Sequence, residues 1–237
     1  MKTKIYCFLV GLLTISALPL AAQTADEIIN RNIDSVGGAN LLSSLKSIVI
    51  DASYEIMGNE SQGKTYILDG VGYRNELDFN GSKIIQAVNA SGGWVINPMA
   101  GASEAQPMPD ADYKASKEAI FIGGPFYKYA EKGSKAELLA NEKVGNVDAY
   151  KVKLTTSSGT VYTFWIDPAT YYILKMERSI GEQVTTTEYS DYRKDDKGYV
   201  SAYAMAINLP QGFAIKATVN KIELNPPIDT AIFDMPK

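Results

Sequence analysis

The sequence contains no histidine. That excludes Ser-His-Asp and Cys-His catalysis, histidine-ligated zinc or copper, and imidazole acid–base chemistry. Cysteine is nearly absent too. Cys7 stands alone at the start of an apolar run, not at its end after a small residue where a lipoprotein acylation site would sit. Once such a run is removed as a leader, the chain has no thiol, no disulfide and no thiolate metal site. There is no basic run, and 23 Lys and Arg against 27 Asp and Glu give a net charge of −4. An acidic chain of this kind predicts no nucleic-acid partner and no anionic membrane surface. Gly92-Gly93 lack the lysine and spacing of a phosphate cradle. No cofactor or metal is expected, because Asp191, Asp195 and Asp196 alternate with Arg193, Lys194 and Lys197, as in a solvated turn. A carboxylate pair drawn from Glu76, Asp78 and Glu188 is the remaining catalytic option. The alternation places these residues outward, so an enzyme is not expected.

What is present begins with a leader. Lys2 and Lys4 precede an apolar run from Ile5 to Leu20, followed by Ala21-Ala22 and the polar Gln23-Thr24-Ala25-Asp26. This reads as a secretory signal, residues 1–22, cleaved near Ala22. An uncleaved anchor is the alternative, but the run is short of the roughly 20 apolar residues a spanning helix needs. Without Lys2 and Lys4, 21 basic residues face 27 acidic ones, a net charge of −6. An exported chain without disulfides suits a bacterial periplasm. No linker and no solenoid-period repeat divides residues 23–237, which predicts a single domain; a monomer is expected.

The hydrophobic periodicity then sets the order of elements. Asp26 to Val36 reads as a helix capped by Thr24 or Asp26, with Ile28, Ile29, Ile33 and Val36 at helical spacing. Gly37-Gly38 ends it, and a short helix, Ala39 to Leu45, follows. From Ile48 the pattern alternates. About five strands run to Asn97, joined by tight turns at Gly58-Asn59, Asp69-Gly70 and Asn80-Gly81. Pro98 to Tyr113 reads as loop, and Tyr113 to about Ile122 as a helix ended by Gly123-Gly124-Pro125. About seven further strands run from Ala136 to Leu224, and the tail keeps one large apolar residue, Phe233. The predicted fold is mainly β with α cover: a curved antiparallel incomplete barrel of about 11–12 strands, an N-terminal helix pair and a mid-chain helical lid.

Gly92–Gly101 is the corner of this plan, where alternation stops and the lid begins. A sheet of so many strands must curl. Its concave face needs apolar cover, and the two helical segments are the only covers the chain supplies. An incomplete fit leaves a cavity. The candidate apolar lining is Tyr54, Leu68, Phe79, Trp94, Ile96, Met99, Met108, Phe121 and Phe126. Flexible methionines suit adaptable binding surfaces, and most of the many strand tyrosines read as ordinary core packing. For Trp94, packing within the core and lid is the stronger reading than cargo contact, because large aromatics dominate cores.

These pieces are spread over nearly the whole chain. They include Ala25-Asp26-Glu27-Ile28-Ile29, Gly37-Gly38-Ala39, Leu45-Lys46-Ser47, Arg74-Asn75-Glu76 and Gly93-Trp94-Val95-Ile96-Asn97-Pro98. Later come Ala149-Tyr150-Lys151-Val152, Asp167-Pro168, Asp191-Tyr192-Arg193 and Phe233-Asp234-Met235-Pro236. In order and spacing they resemble the outer-membrane lipoprotein-sorting family, the LolA/LolB-like periplasmic carriers, and in particular a Bacteroidetes-type branch. Two positions depart from the family pattern: Val71-Gly72 where a proline commonly precedes Arg-x-Glu, and Ala202 where a proline is expected after Gly198. The resemblance implies a curved barrel with helices over its open side, enclosing an apolar cavity. It implies a carrier without enzymatic activity whose partners are lipoprotein acyl chains or another lipid. An envelope domain of the same fold that binds a protein partner is the alternative.

Overall fold

The computed structural model describes residues 23–210 and 212–236. The expected signal segment, residues 1–22, lies outside the described residues. The chain opens with α1 (Ala25–Ser35) and α2 (Gly38–Ser44). Thr24 caps α1 through a reciprocal pair of bonds, its hydroxyl accepting from the Glu27 amide at 3.2 Å while Glu27 Oε2 accepts from the Thr24 amide at 2.9 Å. Then come β1 (Ser47–Ile56), β2 (Asn59–Leu68), β3 (Gly72–Phe79), β4 (Ser82–Asn89) and β5 (Gly93–Asn97). A 3-10 turn, Pro98–Ala100, leads to β6 (Ala102–Pro107), then to α3 (Asp110–Ser116) and a second 3-10 turn, Lys117–Ile120. The second half holds β7 (Lys135–Val144), β8 (Val147–Thr155), β9 (Val161–Ile166), β10 (Ile173–Ile180), β11 (Gln183–Lys194), β12 (Val200–Asn208) and β13 (Ala214–Leu224). A last 3-10 turn spans Thr230–Phe233. No helix among the described residues is long and apolar enough to cross a membrane.

All thirteen strands join one antiparallel sheet in the order β6-β5-β4-β3-β2-β1-β13-β12-β11-β10-β9-β8-β7. The sequence predicts two meanders, and the structure fuses them through β1 and β13, the first strand and the last. The end strands β6 and β7 do not pair, so the barrel stays open. Its curvature is visible in side chains of β1–β4 and β9–β11 that converge on a single cavity.

One segment differs from the sequence reading. Ala102–Pro107, expected as loop, returns antiparallel to β5 after a tight turn. It carries no alternation because it is an edge strand of small and polar residues, with Ala105 alone packed on Trp94 and its neighbours. Proline is tolerated there because the outer side of an edge strand needs no amide donor. The corner at Gly92–Gly101 is therefore a hairpin, and the helical cover begins only after Met108.

The register assigns each side chain to a face, since partners directly across a ladder share one. Ile48, Ile67, Tyr73 and Val88 form an inward row across β1–β4, and Ile50, Thr65, Asn75 and Gln86 form the next. Between them runs the outward row Val49, Tyr66, Arg74, Ala87 and Trp94. On the far half, Val152, Phe164, Met176 and Thr187 point inward. Three clusters hold the molecule together. Ile28 and Ile29 of α1 pack with Phe126 on Val152, Leu154, Phe164 and Ile166. Leu42 and Leu45 pack with Ile122 on Ile48. The third, Ile85, Ala87 and Trp94, lies on the outward face.

The outward cluster is closed by the C-terminal tail. Phe233 is 1% exposed, and its ring lies on Gly72, where a Cβ would overlap it. Arg74 Nη1 donates to Ile232 O at 2.8 Å, Trp94 Nε1 to Phe233 O at 2.9 Å, and Asn89 Nδ2 to Asp234 Oδ1 at 3.1 Å. The glycine at position 72, a departure from the family pattern in sequence, is the seat of this tail.

Candidate ligand cavity

The inward rows do not close on themselves. Between the sheet and its cover lies a chamber of about 520 Å³. Its floor is Ile48, Ile50, Ile67 and Tyr73 from the first half of the sheet, and Tyr162, Phe164, Met176, Arg178 and Tyr189 from the second. Its roof is Asn32 of α1, Val36 at its end and Leu42 of α2, with Ala115 to Phe126 from the mid-chain cover. A second, smaller space of about 370 Å³ adjoins it, bounded by Val95, Met108, Asp112, Ile180, Gln183 and Thr185. Gln86, Ala115, Ser116 and Arg178 belong to both walls and form the neck between them.

The roof is tied to the sheet by a few polar contacts. The β2–β3 turn holds one end: Asp69 Oδ1 accepts from the Ile122 amide at 2.9 Å, and the Gly70 amide donates to Ile120 O at 3.0 Å. Gln86 Nε2 donates to Ser116 Oγ at 3.1 Å near the neck. The Tyr113 hydroxyl donates to Asn89 O or Ala90 O, each at 2.9 Å. Lys132 reaches back to Gly124 O at 3.1 Å, with its ammonium over the Phe121 ring. Burial lowers the Lys132 pKa, against the pull of Glu118 and Asp69. At the other end, the Tyr129 hydroxyl bonds the Asp26 carboxylate of α1.

Tyrosines add polar groups to the chamber wall that carry no charge. Burial pushes the Tyr73 and Tyr189 phenols up to about 12, and it raises Tyr162 and Tyr199 as well. All four therefore remain protonated donors at neutral pH. The Tyr189 hydroxyl faces Met176 Sδ at 3.8 Å. Those of Tyr73, Tyr162 and Tyr199, residues of the chamber wall, have no protein partner among the described residues. Such walls bind an apolar body and offer a few hydrogen bonds to a polar end.

The nine candidate residues from the sequence divide among five places. Phe121 and Phe126 line the chamber, and Met108 lines the outer space against Gly93. Tyr54 and Phe79 share the inward face by register but sit beyond the chamber, Tyr54 with its ring on Gly63, where a Cβ would lie 2.6 Å from it. Leu68, Trp94 and Ile96 are on the outward face, one residue out of step with the inward rows. Met99 is 60% exposed in the turn before β6. Sequence order brought Trp94 near the cover, but parity in β5 turned it away from the chamber. The residues that sequence reasoning missed are Tyr73, Gln86, Tyr162, Met176, Arg178 and Tyr189. Each lies at an inward position of a strand whose facing could have been counted, but which of the alternating rows meets the cover depends on how the sheet curls.

The outward carboxylate Glu76 is held by Arg74 at 2.7 Å and Lys83 at 3.0 Å. Burial raises its pKa, but the hydrogen bonds from Lys83 and Arg74 outweigh this and hold the carboxyl below its ordinary value. No cluster of His, Cys, Asp and Glu among the described residues has the geometry of a metal site.

No family model and no curated protein matches the sequence. Solved structures do match the fold. An outer membrane lipoprotein-sorting protein domain from Vibrio parahaemolyticus aligns over 89% of this chain and 96% of its own, at 16% identity and a TM-score of 0.58. A DUF1329 family protein from Desulfovibrio piger aligns over 89% and 97%, at 15% identity and 0.58. A LolA superfamily protein from Nitrosomonas europaea aligns over 90% and 98%, at 13% identity and 0.60. The architecture of one curved, unclosed sheet with helical cover is thus the fold of lipoprotein-sorting and LolA superfamily proteins, shared at low sequence identity.

Proposed function

We propose that this protein is a periplasmic carrier that holds lipid acyl chains, those of a lipoprotein among them, in the chamber between sheet and cover. The observation that carries the reading is the chamber itself, about 520 Å³ with a mainly apolar lining, within the roughly 300–1,000 Å³ of small-molecule sites. Each CH₂ moved from water into it contributes about 0.8 kcal/mol, before the cost of ordering the chain. No reactive group is needed for such work, so we assign no catalysis. Cargo contact falls to Phe121 and Phe126 of the cover, with Met108 at the outer space. Export through a cleaved signal, the periplasmic location and the likeness to a Bacteroidetes-type branch belong to the same reading. So do a single domain over residues 23–237 and a monomeric state.

Native mass spectrometry of protein purified from its own cell envelope tests this. A bound lipid or acylated peptide released under denaturing spray is the expected result. A protein that arrives empty, and that also fails to take up a neutral apolar dye in solution, would refute it. The second reading is an envelope domain that binds a protein partner. It draws on the edge strands β6 and β7, which pair on one side only and could accept an added strand. An empty cavity together with a copurifying protein would favour it.

A further inference from the structure

Arg178 lies on the inward face of β10, at the neck shared by the two spaces. Across the ladders it faces Tyr162 of β9 and Thr185 of β11. The guanidinium of Arg74 binds Glu76 and Ile232 O, and that of Arg193 binds Asp191. Arg178 has no comparable partner among the described residues. Two carboxylates belong to the surrounding walls, Glu118 of the cover and Asp112 of the outer space. Neither forms an ion pair with it. The nearby Gln86 donates its Nε2 to Ser116 Oγ and forms no hydrogen bond with Arg178.

Arg178 is half-buried, and a cation partly withdrawn from water beside an apolar chamber is destabilising unless something compensates it. Here the two wall carboxylates, Glu118 and Asp112, leave it unpaired. The walls offer instead the phenol hydroxyls of Tyr73 and Tyr162, which have no protein partner. The Arg178 charge acts on both phenols, partly opposing the effect of burial on each. A guanidinium is a planar fork of donors that matches a carboxylate or phosphate bidentately, and hydroxyl donors beside it complete an anion site.

We propose that Arg178 anchors the anionic end of an amphiphile, a carboxylate or a phosphate, at the neck, with the hydrocarbon chain in the inner chamber. The proposal rests on the carrier reading above and gives the ligand a head-group chemistry and a direction. The head lies toward the more polar outer space, while the chain meets Ile48, Ile50, Ile67 and Phe126.

The test uses four ligands with one chain: dodecanoate, dodecyl phosphate, dodecanol and dodecyltrimethylammonium. Each displaces a neutral apolar dye from the purified protein. Charge-assisted hydrogen bonding predicts that at least one anion binds about tenfold or more tightly than dodecanol, and the cation more weakly than dodecanol. Whichever anion binds more tightly identifies a carboxylate or a phosphate head. Arg178→Gln should bring the anions to the dodecanol level and leave dye and dodecanol affinities within about twofold. Arg178→Lys, which keeps the charge and loses the fork, should fall between. Equal binding of all four heads by the unaltered protein overturns the proposal, as does an anion preference that survives in R178Q, and in both cases the carrier reading stands. If neither the dye nor any of the four ligands binds the unaltered protein, the carrier reading fails and takes the proposal with it. Should R178Q not fold, the head-group series on the unaltered protein still decides.

Discussion

Replacing Trp94 by alanine separates the fold from the cavity. Trp94 is 3% exposed and packs with Ile85, Ala87, Ile96 and Ala105 on the outward face. Its indole donates to Phe233 O at 2.9 Å, and the Arg74 guanidinium lies 5.2 Å from its ring centre. Truncating a buried Trp to Ala costs about 3–5 kcal/mol through lost transfer energy and the cavity left behind. The hydrogen bond adds about 1 kcal/mol and the cation–π contact about 0.5–1 kcal/mol. These terms overlap, because the ring makes all of them, so about 4–5 kcal/mol in total is the working figure. That is a large share of the roughly 5–15 kcal/mol that holds a typical domain together. At this chain length it should lower the melting temperature by about 8–20 °C. Trp94→Phe keeps most of the packing and loses the N–H, so it should cost about 1–2 kcal/mol. Urea titration gives both values. The companion assay is dye binding below the unfolding transition. Because Trp94 faces away from the chamber, affinity should stay within about twofold, against the 5-fold or greater change expected of a direct contact worth 1 kcal/mol. A W94A protein of unchanged stability that no longer binds the dye would refute the assignment of faces.

Other outcomes follow from the same geometry. Gly72→Ala puts a Cβ into the Phe233 ring, so the tail must lift; a loss of about 2–4 kcal/mol by urea titration is expected, and Phe233→Ala in that background should add less than it does alone. An alkaline pH series should show stability falling above pH 10. The Tyr73 and Tyr189 phenols are raised to about 12 in the folded protein, against an ordinary 10.0. Their contribution is complete below the unfolded pKa and is lost as pH rises through the folded one. Each such phenol steepens the fall by about 1.4 kcal/mol per pH unit in that window, so Tyr73→Phe should make it shallower by about one proton. An unchanged slope would show that Tyr73 is not buried in the chamber wall.

Much of the fold was decided by local chemistry. The capping box at Thr24 and Glu27, the glycine stop after α1 and the turns at Asp69-Gly70 and Asn80-Gly81 are signals carried within a few residues. Alternation from Ile48 onward marked the strands, and the apolar stripe of α1 marked the cover. The β6 edge strand was not legible, because one neighbour and two solvated sides impose no periodicity on Ala102–Pro107. The absence of histidine ruled out imidazole-based chemistry from residue types alone.

The cavity was legible only in outline. Alternation says that Trp94 and Val95 point opposite ways, but not which of them meets the cover. That depends on the direction in which thirteen strands curl, a property of the whole sheet. The same holds for Arg178 at the neck, which reads in sequence as an ordinary polar strand position between Glu177 and Ser179. It holds also for Gly72, whose lack of a side chain matters only because Phe233 arrives from more than 150 residues away in the chain. By itself, then, the sequence determined most of the elements, their turns and the exclusion of imidazole chemistry, since these follow from backbone preferences and residue types close together in the chain. Tertiary structure alone decided which strand face became the chamber, which aromatics were left outside it and which cation stands at its neck, because curvature and long-range pairing bring together residues that carry no local sign of one another.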